Sequence, residues 1–408
     1  MEPVMIRNTH KLNTPCYILD EKSLKHNLEI LAAVERNTGC RILLAQKAFS
    51  CFCEYPLIGK YISGTTASGL YEAKLGKEEM GKENHVFSPA YRDQDIDELS
   101  VICDHIIFNS PSQVQKYAKR ALETNEAARF SASFTNSNDS SNIPALSLGL
   151  RINPECSTQK DHAIYDPCSK GSRLGTTLSY FEAFFDEPIM RLISGLHFHT
   201  LCEQNSDDLI TTLSVVEQNF GIYLALPQIK WLNMGGGHHI TRDDYDIPAL
   251  EKAITRIKEK YNIQIYLEPG EAVVLNSGYF VTRVLEKVSN SGIQNLILDG
   301  SAACHMPDVI EMPYRPPLYG SGESGEKKYT YRLTGNTCLA GDIIGDYSFD
   351  NEIQIGDTLI FEDMALYTIV KNNTFNGIPL PDIYRLNEDD SYELIKRFGY
   401  EDFKRRLS

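Results

Sequence analysis

Three observations predict a (β/α)8 barrel joined to a smaller, mostly β domain. Short apolar runs alternate with amphipathic stretches from residue 21 to about 275. Those runs number eight, and after residue 276 strand-like runs separated by Gly, Pro and Asn turns take over. A doubly wound parallel sheet is the competing arrangement. The predicted domains are 21–276 for the barrel and 277–408 for the β domain, with 1–20 packing on the latter.

The elements follow in chain order. "TPCYILD" (14–20) reads as a strand before the first helix, with the β domain as its expected partner. "EKSLKHNLEILAAVERNTG" (21–39) places Leu24, Leu28, Leu31 and Ala32 on one helical face. The buried-strand runs are "RILLAQ" (41–46), "ISGTTAS" (62–68), "HVFSPA" (85–90), "HIIFNS" (105–110), "LSLGLRIN" (146–153), "ISGLHFHT" (193–200), "IKWLNMG" (229–235) and "IYLEPG" (265–270). Between most of them lie amphipathic stretches such as "PSQVQKYAKRALET" (111–124) and "IPALEKAITRIKEKYN" (247–262). The Ser/Asn-rich piece "SASFTNSNDSSN" (131–142) is expected to be a surface insertion. In the second domain the expected strands are "YFVTRVLEKVS" (279–289), "NLILDGS" (295–301), "KYTYRLTG" (328–335), "DTLIFEDM" (357–364) and "LYTIVK" (366–371).

With 42% apolar and 23% charged residues, the 408-residue chain has the composition of a soluble globular protein. No run approaches the length that spans a bilayer, and "MEPVMIRNTH" lacks an apolar signal core. A net charge of −15 disfavours nucleic acid and anionic membranes and suits a cationic substrate. The ten cysteines show no paired C-x-x-C spacing, so free thiols in a reducing cytoplasm are expected, and no metal ligand set is expected.

In a parallel barrel, reactive side chains collect where the strands end. Those ends carry Lys47, Arg151 with Asn153, His199, Gly235–Gly237, and Glu268 before Pro269-Gly270. Taken singly, each has an ordinary reading: a solvated lysine, a plain loop, a salt-bridged carboxylate. Taken together they fit pyridoxal phosphate. That cofactor needs a lysine for its aldehyde, a phosphate cradle, a flat side chain against its ring and an acid at its pyridine nitrogen.

The combination of "AQKA", "GLHFHT", "NMGGG", "LEPG", "GNTCLAGD" and "FEDMALYT" resembles the alanine-racemase-fold, pyridoxal-phosphate-dependent decarboxylases, over about residues 14–385. These include ornithine, arginine and diaminopimelate decarboxylases. "YDPCSKGSRLG", "LDGSAACHMPDVIEMPYRP" and "GNTCLAGD" are most similar to the branch that decarboxylates carboxynorspermidine and carboxyspermidine in polyamine synthesis.

The resemblance implies roles. Lys47 is the lysine that bonds the cofactor, His199 stacks on its ring and Glu268 faces its pyridine nitrogen. Gly235, Gly236, Gly237 and Tyr367 hold its phosphate. Cys338 protonates the carbanion left by carbon dioxide. Asp342 faces the substrate's distal amine, Asp308 lies at a second amine-binding position, and Arg173 and Glu271 are further candidates to border the substrate. It also implies a homodimer in which the Cys338 loop enters the partner's site.

Two departures stand out: Glu271 replaces an arginine that helps hold the phosphate in much of the family, and Thr66 stands near the place of an aspartate. Diaminopimelate decarboxylase is the alternative, although Leu339 follows Cys338 where those enzymes carry glutamate. A catalytically inactive regulatory paralogue is the other, and retention of Lys47 and Cys338 argues against it.

Overall fold

A computed structural model describes residues 9–134, 143–159, 165–185 and 188–408. Two compact units emerge: Asn27–Val273, and the chain through His26 together with Val274–Ser408. Strand β1 (Cys16–Asp20) belongs to the second of these, and the helix Glu21–Thr38 then leads into the first.

The first unit is the predicted barrel. Its strands are β2 (Arg41–Ala45), β3 (Gly64–Ala67), β4 (Glu83–Phe87), β5 (His105–Phe108), β6 (Ser147–Arg151), β7 (Gly195–His197), β8 (Trp231–Asn233) and β9 (Gln264–Leu267). All neighbours pair in parallel, and β9 closes on β2 through Arg41↔Tyr266 and Ile42↔Leu267. Each of the eight apolar runs contributes one strand, because a parallel strand covered by helices must be apolar on both faces.

Trp231, the chain's one tryptophan, fills part of the interior with Leu43, Ile107 and Tyr266. Two glycines on neighbouring strands make room for it. A Cβ on Gly195 would lie 2.0 Å from the indole, and one on Gly149 would lie 2.3 Å away. The helix Pro111–Ala132 runs into the start of the Ser/Asn-rich piece, and residues 135–142 of that piece lie outside the described residues.

The second unit contains β1, β10 (Gly278–Asn290), β11 (Ile293–Leu298), β12 (Tyr329–Thr334), β13 (Ile343–Phe349), β14 (Thr358–Glu362), β15 (Asp382–Leu386) and β16 (Tyr392–Lys396). Their order is β13-β12-β11-β10-β1-β15-β16, with β14 also on β10. β1 runs antiparallel to β10 and parallel to β15, and its Cys16 and Ile18 share a core with Tyr279, Val281 and Tyr384. Ser291 and Gly292 both take positive φ (51° and 82°), the backbone that a two-residue hairpin between β10 and β11 requires.

The β-domain expectations need one correction. "LYTIVK" forms bends and a turn, not a strand. Tyr367 there has φ 47°, a left-handed backbone that no strand accommodates. Three strands also stand outside the runs picked from sequence: β13, whose "IIGDYSF" is interrupted by Gly345, and the short β15 and β16.

The fit of Trp231 is testable. Gly195→Ala forces the indole to move, and chemical unfolding should show a loss of about 1–3 kcal/mol. Gly69→Ala, where a Cβ meets nothing within 4 Å, should leave the midpoint unchanged.

Candidate active site

The side chains at the barrel's C-terminal rim are organised around Glu268, which directly follows β9 and is buried. Asn233, the last residue of β8, donates from Nδ2 to Glu268 Oε1 at 2.7 Å. His197, the last residue of β7, meets Glu268 Oε2 through Nε2 at 3.2 Å. Three adjacent strands therefore set these groups side by side. Burial opposes charge on Glu268, but the bonds from His197 and Asn233 outweigh it and hold its pKa below the usual carboxylate range. Burial pushes the His197 pKa down, so a neutral ring donates its Nε2–H to an ionised carboxylate.

The same residues shape the glycine run. Gly235 N–H donates to Asn233 Oδ1 at 2.9 Å, Gly236 N–H donates to His199 Nδ1 at 3.0 Å, and Glu268 N–H donates to the Gly235 carbonyl at 2.8 Å. Gly235 and Gly237 take φ of 69° and 81°, and a Cβ on Gly237 would come within 2.0 Å of the Leu201 carbonyl. Two of the three N–H groups are thus already bonded inside the protein. Gly237 N–H has no partner among the described residues, which narrows the cradle expected from sequence.

Lys47 stands in the turn after β2, accessible to solvent yet closely ringed by protein. That crowding, and then the charge of Arg151, push its pKa down, while Glu268 and Glu271 pull it up. Arg151 ends β6, lies 4.5 Å over the Phe87 ring and donates from Nη2 to the His199 carbonyl at 3.1 Å. Burial lowers its pKa to about 10. His199 is kept neutral by burial, then by Lys47 and Arg151. Because its Nδ1 accepts from Gly236, its proton sits on Nε2. Glu271 accepts from His239 Nε2 at 3.0 Å.

Other predicted residues behave differently. Arg173 is exposed and has no ion-pair partner among the described residues, while its carbonyl accepts from Asn109. Asn153 braces a loop by donating to the Leu174 carbonyl and accepting from Glu155 N–H. His305 is structural: Nδ1 accepts from Ser301 N–H, and Nε2 reaches the Pro379 carbonyl.

In the β unit, Cys338 is exposed on the turn between β12 and β13, and its N–H donates to Asn376 Oδ1 at 2.8 Å. Asp342 lies behind that turn. It is only 3% exposed, and its oxygens accept from Ser301 Oγ (2.8 Å), Thr337 Oγ1 (2.6 Å) and Ala303 N–H (3.1 Å). Its carboxylate clamps the base of the Cys338 turn through these bonds. Asp308 pairs with Lys371, which also reaches Glu311 at 2.5 Å. Tyr367 is half-buried.

The sequence reading passed over His197, Asn233, Arg151's contact with His199, and Asn376. The first two had a usable signal: each is the last residue of its barrel strand, two residues before a residue that was singled out. It also passed over Glu83, His85 and His105, whose donor atoms lie within 4.8 Å of one another. Those residues lie toward the opposite strand ends, and Arg41 already pairs with Glu83. All ten cysteines are free.

Residues 16–365 match the family described as pyridoxal-dependent decarboxylase, C-terminal sheet domain. The chain belongs to this decarboxylase family. This decarboxylase is 40% identical over 407 residues to the carboxynorspermidine/carboxyspermidine decarboxylase of Campylobacter jejuni, covering 97% of this chain and 99% of that one. It is 38% identical to the carboxyaminopropylagmatine decarboxylase of Synechocystis, covering 97% and 96%. The solved structure of carboxynorspermidine decarboxylase from C. jejuni complexed with norspermidine matches with a TM-score of 0.83 and 39% identity, over 97% and 100% of the two chains. Diaminopimelate decarboxylase from Helicobacter pylori shares the fold at 17% identity and a TM-score of 0.76, with 97% of each chain covered.

The family's cofactor is pyridoxal phosphate, and the donor set of this decarboxylase fits it. An amine pushed toward its neutral form, an ionised carboxylate and an unpartnered N–H on a glycine loop lie within one rim. The misfit is Glu271, an anion where much of the family has a cation.

The Glu268 network predicts a pH effect. A carboxylate whose pKa falls on folding adds stability that is present above its unfolded pKa, about 4.3, and is lost as pH falls below it. Unfolding curves of Glu268→Gln between pH 7 and 3 should therefore show a shallower acid limb than wild type and lower stability at pH 7.

Proposed function

We propose that the chain decarboxylates carboxynorspermidine or carboxyspermidine, releasing norspermidine or spermidine and carbon dioxide. The observation that carries this reading is identity of 40% along nearly the full length of both chains to an enzyme of that name. Leu339 after Cys338 supports it against diaminopimelate decarboxylase, whose motif carries glutamate there. A second reading has its own support: the 38% identity to carboxyaminopropylagmatine decarboxylase makes a guanidine-ended substrate the nearest rival.

Pyridoxal phosphate, when bound, supplies an aldehyde that takes the substrate's amino nitrogen and a ring that accepts the electron pair left by departing carbon dioxide. Lys47, solvent-accessible in the turn after β2, would be the amine that tethers it. Glu268, fixed on both oxygens by Asn233 and His197, would keep a proton on the ring nitrogen, since each oxygen retains a lone pair. His199 would cover the ring with its neutral imidazole. Gly237 N–H would bond the phosphate, Tyr367 keeps the phosphate role that the resemblance implies, and Glu271 is held by His239.

Cys338 gives its thiol proton to the substrate's α-carbon and regains one from water. Its exposed turn suits a role in a partner subunit's site, so a homodimer is the proposed active unit. Asp342 positions that turn, and its role toward the substrate's amine stays part of the proposal, since three donors leave its carboxylate a lone pair. Among the described residues no helix is long and apolar enough to cross a membrane. The free thiols support a reducing cytoplasm as the compartment.

Carbon dioxide release from carboxynorspermidine, carboxyspermidine, carboxyaminopropylagmatine and meso-diaminopimelate tests the proposal. The first two should turn over fastest, and Lys47→Ala should abolish release by at least about a thousandfold. Rapid lysine formation from diaminopimelate, with carboxynorspermidine inert, would overturn it.

A further inference from the structure

The turn that carries Cys338 is held from two sides by one framework within the β unit. On one side Asp342 accepts from Thr337 Oγ1 at 2.6 Å, and from Ser301 Oγ and Ala303 N–H on a second short turn. On the other, Cys338 N–H donates to Asn376 Oδ1 at 2.8 Å. Asn376 is itself fixed. It takes φ 55° inside the turn Phe375–Gly377, a left-handed backbone that Asn tolerates better than most residues. Asn373 ties this turn back to the Ser301 turn, donating from Nδ2 to the Ala303 carbonyl (2.8 Å) and from its N–H to the Cys304 carbonyl (2.9 Å). The helix Tyr400–Leu407 secures its other edge, where Arg406 Nη2 donates to Thr374 Oγ1 at 2.6 Å.

Hydrogen bonds and short chain segments thus close a ring through residues 338, 376, 373, 303 and 342. Held by Asp342 alone, the exposed Cys338 turn would pivot about one clamp. The Asn376 bond adds a second fixed point, on the cysteine's own backbone. A thiol delivers a proton only within hydrogen-bond reach of its target, so a turn free to swing loses that geometry.

We propose that Asn376 is a positioning residue for proton delivery: by accepting from Cys338 N–H, it aims the thiol at the carbon that has lost carbon dioxide. This rests on the reading of Cys338 as proton donor given above. When the thiol is aimed, its proton goes to the α-carbon, which supplies the electron pair. The sulfur keeps the S–H pair until water returns a proton. When the thiol is misplaced, a proton lands on the cofactor's aldehyde carbon instead. Water then splits the carbon–nitrogen double bond, leaving pyridoxamine phosphate and an aldehyde from the substrate.

Asn376→Gly suits the left-handed backbone and removes the acceptor, whereas Asn376→Asp keeps an acceptor of the same size. With the holoenzyme and carboxynorspermidine, pyridoxamine phosphate formed per carbon dioxide released should rise about three- to tenfold in Asn376→Gly, as loss of one hydrogen bond implies. In Asn376→Asp it should stay within about twofold of wild type. Independently of turnover, amide hydrogen exchange of the peptide spanning 335–342 should accelerate about threefold or more in Asn376→Gly only.

A wild-type ratio in Asn376→Gly would overturn the positioning role, as would an equal rise in both variants or unaltered exchange. Should Asn376→Gly fail to fold, Asn376→Ser, whose shorter side chain withdraws the acceptor, decides by the same ratio. Cys338→Ala with the wild-type ratio and rate would overturn the proton-donor reading, and the positioning role with it. An impaired Cys338→Ala beside an unaffected Asn376→Gly would overturn the positioning role alone.

Discussion

A carboxylate buried at the end of a barrel strand is the constraint from which the rest of the site follows. Glu268 cannot stay ionised there without donors, since an unpaired charge in that position would take up a proton instead. Asn233 and His197 supply those donors because β7, β8 and β9 are consecutive and in register. Asn233 then uses its other amide atom to hold Gly235, and His199 holds Gly236. One network thus fixes the charge at one end of the site and the loop at the other. The glycines are required by this closeness, since a Cβ on Gly236 would lie 2.3 Å from the Glu268 carbonyl.

Around this anion the barrel places two cations with opposite consequences. Arg151 remains charged although buried, stabilised by the Phe87 face and the His199 carbonyl. Its charge repels protonation of Lys47, whose surroundings already disfavour it. The result is an amine biased toward the nucleophilic form beside a carboxylate biased toward the charged form. That pairing of opposite biases in one rim is the mark of a site built for covalent chemistry on a carbonyl carbon.

The barrel and the strand-end positions of Lys47, Arg151, His199 and Glu268 were legible because both rest on local rules. Apolar runs of four to eight residues mark covered parallel strands, and reactive groups stand where those strands end. The β domain was read less well. Tyr367's left-handed backbone and the glycine inside β13 are set by tertiary contacts, and periodicity does not report them. The partners of Asp342 show a similar limit: its place after the cysteine is visible in the sequence, but Ser301 and Ala303, which donate to its carboxylate, are about forty residues away. Lys371 was passed over for the same reason, since its partners Asp308 and Glu311 lie far from it in sequence.

Lys47 is proposed to carry the cofactor within the network anchored by Glu268. Borohydride reduction of the protein with pyridoxal phosphate, followed by mass mapping of its peptides, tests this most directly. One phosphopyridoxyl group per chain is expected, on the peptide containing Lys47, and none when Lys47→Ala is treated in parallel. Stoichiometric labelling of another lysine with Lys47 unmodified would contradict it.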